Sequence, residues 1–266
     1  MINKIGVTGS RGVVGKLIVK ELTIRNIPFV EYHSDIRDAD VFLEWLVEHE
    51  ITSIIHLASK VAIKEVSKNV GLAYDVNVNG TVQIIKAIQN YNRAVYFFYA
   101  STSHVYKSSS FPIREDFEIE PLNTYGLTKY ISEQLLGDFE KVNSNFSLCI
   151  GRIFSFYHVS QSEPYLFPTI MRRLKTENLN VPFKLMGANS IRDFLNAEDV
   201  CKAIIDLTLL KETGIINIGS GQGVLIKDFV SSLTSAKLDF EISLTEPVSY
   251  LVADVSKLKM ILKNDK

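Results

Sequence analysis

The amino-acid sequence predicts an α/β fold, a doubly wound parallel sheet with a small C-terminal cap. Three observations lead there. Short runs apolar at nearly every position, such as Ile5 to Thr8 and Ala94 to Ala100, alternate with helix-period segments. A strand that is apolar on both sides is buried on both sides, which requires helices over each face of a parallel sheet. The first run passes directly into a loop carrying Gly9, Gly12 and Gly15 and then into a helix, and beyond about residue 155 the alternation loosens without a second full sheet.

Taken in order, Ile5 to Thr8 is the first strand and Val13 to about Arg25 the first helix. Between them Gly9 permits a tight turn, Gly12 lets the backbone approach a diphosphate at the helix N-terminus, and Gly15 lets the helix pack close to the sheet. The spacing G-x-x-G-x-x-G is one residue longer than the G-x-G-x-x-G fingerprint. With it the sheet becomes Rossmann-type, and residues 1–154 become a dinucleotide-binding core to which about 190–220 return; 155–266 is mostly a small substrate-binding cap. The second strand, Pro28 to Tyr32, should end on an acid that holds a ribose. No Asp stands there, and Glu31 lies within the strand. Arg11 in the glycine loop suits a 2'-phosphate, so NADP is favoured over NAD by a small margin.

A helix from Asp38, a plausible N-cap, to about His49 carries the only tryptophan, Trp45. Ile51 to Leu57 is the third strand, and the small Ala58 and Ser59 after it leave room for a cofactor across the strand end. His56 at that end reads as a structural donor. A long helix over Ala73 to Asn90 contains Asn77, and Ala94 to Ala100 is the fourth strand. Ser101, Thr102 and Ser103 then sit just past its carboxyl end, the edge where open α/β sheets bind ligands. Lys107 to Leu122 is a loop, Asn123-Thr124 caps the next helix, and Ser147 to Phe154 is the fifth strand. Later elements are a helix over Pro164 to Glu177, an extended Val181 to Met186, a helix over Asn196 to Leu210, a strand Gly214 to Ile218 and a helix Ile226 to Ser235.

The helix after Asn123 carries Tyr125 and Lys129, four apart and therefore on one face. An ammonium beside a phenol favours the phenolate, so the pair is expected to bring Tyr125 below its ordinary pKa of about 10. The spacing alone also fits an amphipathic helix, and only its place after a glycine loop and a hydroxyl cluster favours chemistry.

Composition sets the outer bounds. With 46% hydrophobic and 22% charged residues, 266 residues can bury a large core. Lys plus Arg is 29 against 30 for Asp plus Glu, a formal charge of -1, which gives no footprint for a nucleic-acid polymer or an anionic membrane. Cys149 and Cys201 lack metal or redox spacing and read as buried thiols; with no cleavable signal at Met1 and no membrane-length apolar run, the expected location is cytoplasmic. No metal site is expected.

These segments together resemble the extended short-chain dehydrogenase/reductases, the NAD-dependent epimerase/dehydratase family that acts mainly on nucleotide sugars. The resemblance is carried by Thr8 to Gly15, Asp35 to Asp38, His56-Leu57-Ala58, Asn77 to Thr81, Ser101 to Tyr106, Tyr125 to Lys129, Arg192-Asp193-Phe194, Asn217 to Gly221 and Ala253 to Lys257. It implies that the glycine loop, with Val13 and Val14, holds the dinucleotide, that Asp35 and Ile36 flank the adenine, and that Leu57, Ala58, Ser59, Asn77 and Ser101 line the cofactor. It further implies Lys129 on the nicotinamide ribose, Tyr125 as acid/base, Thr102 as its hydroxyl partner, and Arg192 on the substrate diphosphate. Ser103 and His104 occupy the places of the Asp-Glu pair of 4,6-dehydratases, which disfavours dehydration, and Ser155 stands for a usual Asn; all three are expected at the substrate. Pro247 to Tyr250 departs from relatives that carry an arginine there, so a second diphosphate contact is either absent or comes from elsewhere, such as Arg172 or Arg173. The expected activity is an NAD(P)H-dependent reduction of a nucleotide-linked 4-keto-6-deoxy sugar for a surface glycan, with a nucleotide-sugar 4-epimerase holding NAD as the alternative and a catalytically silent NADP sensor behind both. A homodimer through the helices at 73–90 and 124–142 is expected from resemblance alone.

Overall fold

A computed structural model describes residues 4–242 and 248–263. In chain order the first half runs β1 (Ile5–Thr8), α1 (Val13–Ile24), β2 (Phe29–Tyr32), α2 (Ala39–His49), β3 (Ser53–His56), α3 (Ile63–Lys68), α4 (Val70–Tyr74), a π-helical turn (Asp75–Asn79), α5 (Gly80–Gln89), β4 (Val95–Thr102), α6 (Thr124–Val142) and β5 (Phe146–Ile153). The second half runs β6 (Phe156–Tyr157), α7 (Leu166–Thr176), β7 (Phe183–Lys184), β8 (Ile191–Asp193), β9 (Leu195–Asn196), α8 (Ala197–Leu210), β10 (Gly214–Ile218), β11 (Gly223–Leu225), α9 (Ile226–Ser232), β12 (Phe240–Glu241), β13 (Tyr250–Leu251) and α10 (Ser256–Lys263).

The main sheet has six strands in the order β10-β5-β4-β3-β1-β2, each neighbouring pair parallel. Side chains alternate across it and feed two cores. On β4, Phe97 and Tyr99 face α2, α5 and α6 through Phe42, Trp45, Ile84 and Leu136. Tyr96 and Phe98 face α1, α8 and α10 through Ile18, Leu22, Ile204 and Leu258. This is the doubly wound arrangement that continuous apolar strands demand. Each such side chain contributes roughly 1.5–3 kcal/mol by leaving water. β1 lies between β2 and β3, so the chain reverses direction across the sheet there, and a crevice opens between the loops after β1 and β3.

The remaining segments form a smaller apolar cluster of Ile170, Phe183, Leu185, Ala188, Ile226 and Val230, while α8 and β10 belong to the main sheet and its helical layer. Three element expectations need correction. The helix expected over 73–90 is broken, with Asn77 inside a π turn. β4 continues through Thr102, so Ser101 and Thr102 end the strand and Ser103 opens a 3-10 turn. The extended 181–186 segment pairs over two residues only, with β12. Asp38 and Asn123 do cap their helices, accepting from Val41 N and Gly126 N.

Candidate active site

The crevice is built from glycine geometry. Gly9 has φ +70°, and a Cβ there would fall 2.6 Å from Ala58 N, so the loops after β1 and β3 touch backbone to backbone. A Cβ on Gly15 would strike Gly9 O at 2.3 Å, whereas one on Gly12 would meet only that same oxygen at 3.3 Å. Gly9 and Gly15 are thus required by the protein itself, and Gly12 faces open space. No side chain caps the first turn of α1, whose amides remain available, and the buried Ser10 hydroxyl has no hydrogen-bond partner. Orphaned donors around a backbone cradle fit a diphosphate. Arg11 is exposed beside it, and Val13 and Val14 are half-buried at the helix start.

Register explains the floor of the crevice. Thr8 and His56 are paired residues at the ends of β1 and β3. The Thr8 hydroxyl accepts from Leu57 N at 3.2 Å and Ala58 N at 3.3 Å, which leaves its proton for His56 Nδ1 at 2.8 Å. The imidazole is therefore the Nε2–H tautomer, and burial brings its pKa down to about 3. It is a neutral structural group.

Several expected cofactor contacts are engaged elsewhere. Asn77 uses its whole amide: Nδ2 donates to Lys60 O and Thr128 Oγ1, each at 3.0 Å, and Oδ1 accepts from Ser59 Oγ at 2.9 Å and Lys60 N at 2.7 Å. Asn77 and Ser59 thus fasten the loop after β3 to α6 instead of offering side chains to a ligand. The Ser101 hydroxyl donates to buried Glu133. Asp35 is held at about 2 by hydrogen bonds from Arg37, which also pairs with Asp75, and Ile36 is buried against the start of α5. Glu31 pairs in register with Val7, one residue short of the strand end, and lies 3.9 Å from His33.

The carboxyl edge of β4 meets the first turns of α6. Thr102 is buried and accepts from His104 N at 3.3 Å, and its hydroxyl favours the ionised form of the Tyr125 phenol. Lys129 is buried with Nζ 4.1 Å from the centre of the Tyr99 ring, and makes no ion pair among the described residues. The expected acidification of Tyr125 is not found. Burial pushes its phenol above the ordinary value, with Thr102 opposing, and the amine itself is brought down to about 7 by burial. Two groups desolvated together each favour their neutral form.

Across from this edge, Asn123 accepts from Gly126 N through Oδ1, so its Nδ2 must donate to His104 Nδ1 at 2.7 Å. That leaves Nε2–H on His104, whose ring stands edge-on to Tyr125 at 6.1 Å. Burial and then the charge of Arg192 bring His104 to about 4. Arg192 is half-buried without a carboxylate partner among the described residues; its guanidinium donates to Ile191 O and to Ser249 O and Oγ. The next residue, Asp193, is fully buried and accepts from Ser220 N, Gly221 N and Ala253 N, which fixes the strand that presents Arg192. Ser103 is buried; Ser155 is half-buried and accepts from Leu195 N through its carbonyl. Arg172 and Arg173 pair with Glu163 and Glu177. Pro247 lies outside the described residues.

Sequence reading missed Glu133 and Arg152, a buried ion pair at 2.6 Å beneath Lys129. The signals were present: a carboxylate four residues after the lysine, and a lone charge inside the apolar run Cys149 to Phe154. Both cysteines are free and buried, and no helix among the described residues is long and apolar enough to cross a membrane.

A glycine-looped parallel sheet with hydroxyl, phenol and amine gathered at its carboxyl edge defines an extended short-chain dehydrogenase/reductase. A family model described as GDP-mannose 4,6 dehydratase matches residues 7–259, and the chain belongs to that family. A UDP-glucose 4-epimerase of Rhizobium leguminosarum bv. trifolii is 26% identical over 75% of this chain and 66% of its own length. A GDP-6-deoxy-D-mannose reductase of Pseudomonas aeruginosa is 24% identical over 91% of this chain and 83% of its own. Among solved structures, RMD from Pseudomonas aeruginosa complexed with NADPH superposes with a TM-score of 0.85 at 22% identity, covering 97% of this chain and 92% of that one.

Proposed function

We propose that the protein is an NADPH-dependent reductase of a nucleotide-linked 4-keto-6-deoxy sugar. The observation that carries this reading is the gathering of Thr102 at the end of β4 with Tyr125 and Lys129 on α6: the Tyr125 phenol, kept protonated by burial, is a proton donor there. Ketone reduction needs a proton donor at the developing alkoxide. Bound NADPH supplies the hydride. Gly9, Gly12, Gly15 and the first amides of α1 hold the diphosphate, Arg11 meets the 2'-phosphate, and Leu57 and Ala58 line the crevice. Lys129 takes the nicotinamide ribose. Tyr125 gives its proton to the sugar oxygen while Thr102 hydrogen-bonds the same oxygen, and Arg192, without a carboxylate partner among the described residues, takes the substrate diphosphate. The small cluster around Ile170 and Phe183 forms the cap over the sugar.

Relatives with GDP-6-deoxy-D-mannose reductase and dTDP-4-dehydro-6-deoxyglucose reductase activity support the substrate class. Ser103 and His104, where dehydratases carry two acids, support reduction over dehydration. Incubation with NADPH and 4-keto-6-deoxy sugars on GDP, dTDP and UDP carriers should consume one NADPH per product; failure on all three sinks the proposal. UDP-glucose 4-epimerases among the relatives favour one second reading. It requires purified protein to carry NAD and to interconvert sugars with no net cofactor use. Exposed Leu72, Val82 and Leu127 on α4, α5 and α6 support a homodimer through these helices, which light scattering tests directly.

A further inference from the structure

Lysine and glutamate four residues apart on a helix are neighbours, and in a dry interior their attraction is much stronger than at a surface. Lys129 and Glu133 meet both conditions, each 2% exposed. Their ion pair is nevertheless not formed. Arg152, projecting from β5 and also 2% exposed, takes both carboxylate oxygens, with Nη2 to Oε2 at 2.6 Å and Nε to each oxygen at 3.2 Å. Ser101 donates to Oε1. Arg152 is in turn held by the ring of Tyr106, 4.6 Å from its guanidinium carbon, and by the carbonyl of Glu115 at 3.3 Å.

We propose that Arg152 is a positioning residue for Lys129: by saturating Glu133 it prevents a salt bridge along α6 and leaves the amine free beside Tyr125 at the carboxyl edge of the sheet. This rests on the reading of Tyr125 and Lys129 as the reacting edge. The ionisable groups facing Lys129 are His56 from β3, Tyr99 from β4 and Glu133 from α6, with Arg152 from β5 behind Glu133 and Tyr125 one turn earlier on α6. His56 is neutral above a pH of about 3 and both phenols are protonated at neutral pH, so the Glu133–Arg152 balance is the charge that the amine senses. Burial brings Lys129 to about 7, with Glu133 offsetting part of the effect.

The test is an NMR titration of the lysine 13Cε resonances of the cofactor-free protein, with Lys129 identified by the signal lost in Lys129→Met. Arg152→Met lets Glu133 turn to the amine, and the midpoint should rise by about 1 to 2 pH units. Glu133→Gln leaves Arg152 uncompensated, and the midpoint should fall. Both variants break the same ion pair, so a purely structural role moves the two midpoints together or not at all, and either result overturns the proposal. If Arg152→Met fails to fold, Arg152→Gln takes its place, and a midpoint that stays or falls refutes the proposal. Full turnover in Tyr125→Phe and Lys129→Met would instead sink the catalytic reading and leave the titrations standing.

Discussion

Two polar clusters share α6 within a few residues of each other. Around Asn77 every strong hydrogen-bonding capacity is used: its amide serves Ser59, Lys60 and Thr128, and its carbonyl accepts from Thr81 and Ser132. Around Lys129 capacities are left over, with an amine that rests on an aromatic ring and a guanidinium at Arg192 that, among the described residues, meets carbonyl and hydroxyl oxygens but no carboxylate. Buried polar groups are normally satisfied, because leaving one unpaired costs about 1–3 kcal/mol. The saturated cluster holds the fold together, and in the function proposed above the unsaturated one takes the ligand.

Tyr125→Phe breaks the comparison most severely. It removes a proton donor and little packing, so turnover should fall by about 10²–10⁴ while the urea midpoint stays within error. A fall in stability of equal weight would place Tyr125 with the structural cluster. Asn77→Ala should do the reverse. Ser59, Lys60 and Thr128 lose partners, and the loss of about 2–4 kcal/mol should appear in urea unfolding. Arg192→Ala comes next, with KM raised about 10- to 100-fold and kcat changed little, since a contact to a non-reacting diphosphate acts on ground and transition states alike. A kcat loss as large as that of Tyr125→Phe would move Arg192 into the reaction itself.

The same distinction governs what could be read from the sequence. The strands, the glycine loop and the caps at Asp38 and Asn123 follow from local rules of apolar runs, turn residues and side-chain acceptors. Thr102, Tyr125 and Lys129 were legible because one strand and one helix carry them. Asn77 and Ser101 belong to a different case, because a motif says only that a polar residue stands there, and partners 51 and 32 positions away decide whether it faces a ligand or another side chain. The direction of the Tyr125 shift was missed for a related reason. Sequence supplies the distance between phenol and amine along the helix, but the water excluded around both depends on the packing of β4 against α6.

The smallest effect separates the histidines of the two regions. His56 is locked by Thr8 beneath the crevice and stays neutral to a pH of about 3, while His104 at the site edge does so to about 4. In the unfolded chain both take a proton near about 6.5. Between that value and the folded one the unfolded chain binds more protons, so stability falls as pH drops, by about 1.4 kcal/mol per pH unit for each histidine. The urea midpoint should therefore decline from pH 6.5 to pH 4. His104→Gln keeps a side chain that can accept from Asn123 and removes one titrating group, so it should halve the histidine share of that slope. If the slope is unchanged, His104 is protonated in the folded protein and belongs with the charged groups of the site, not with the neutral frame around it.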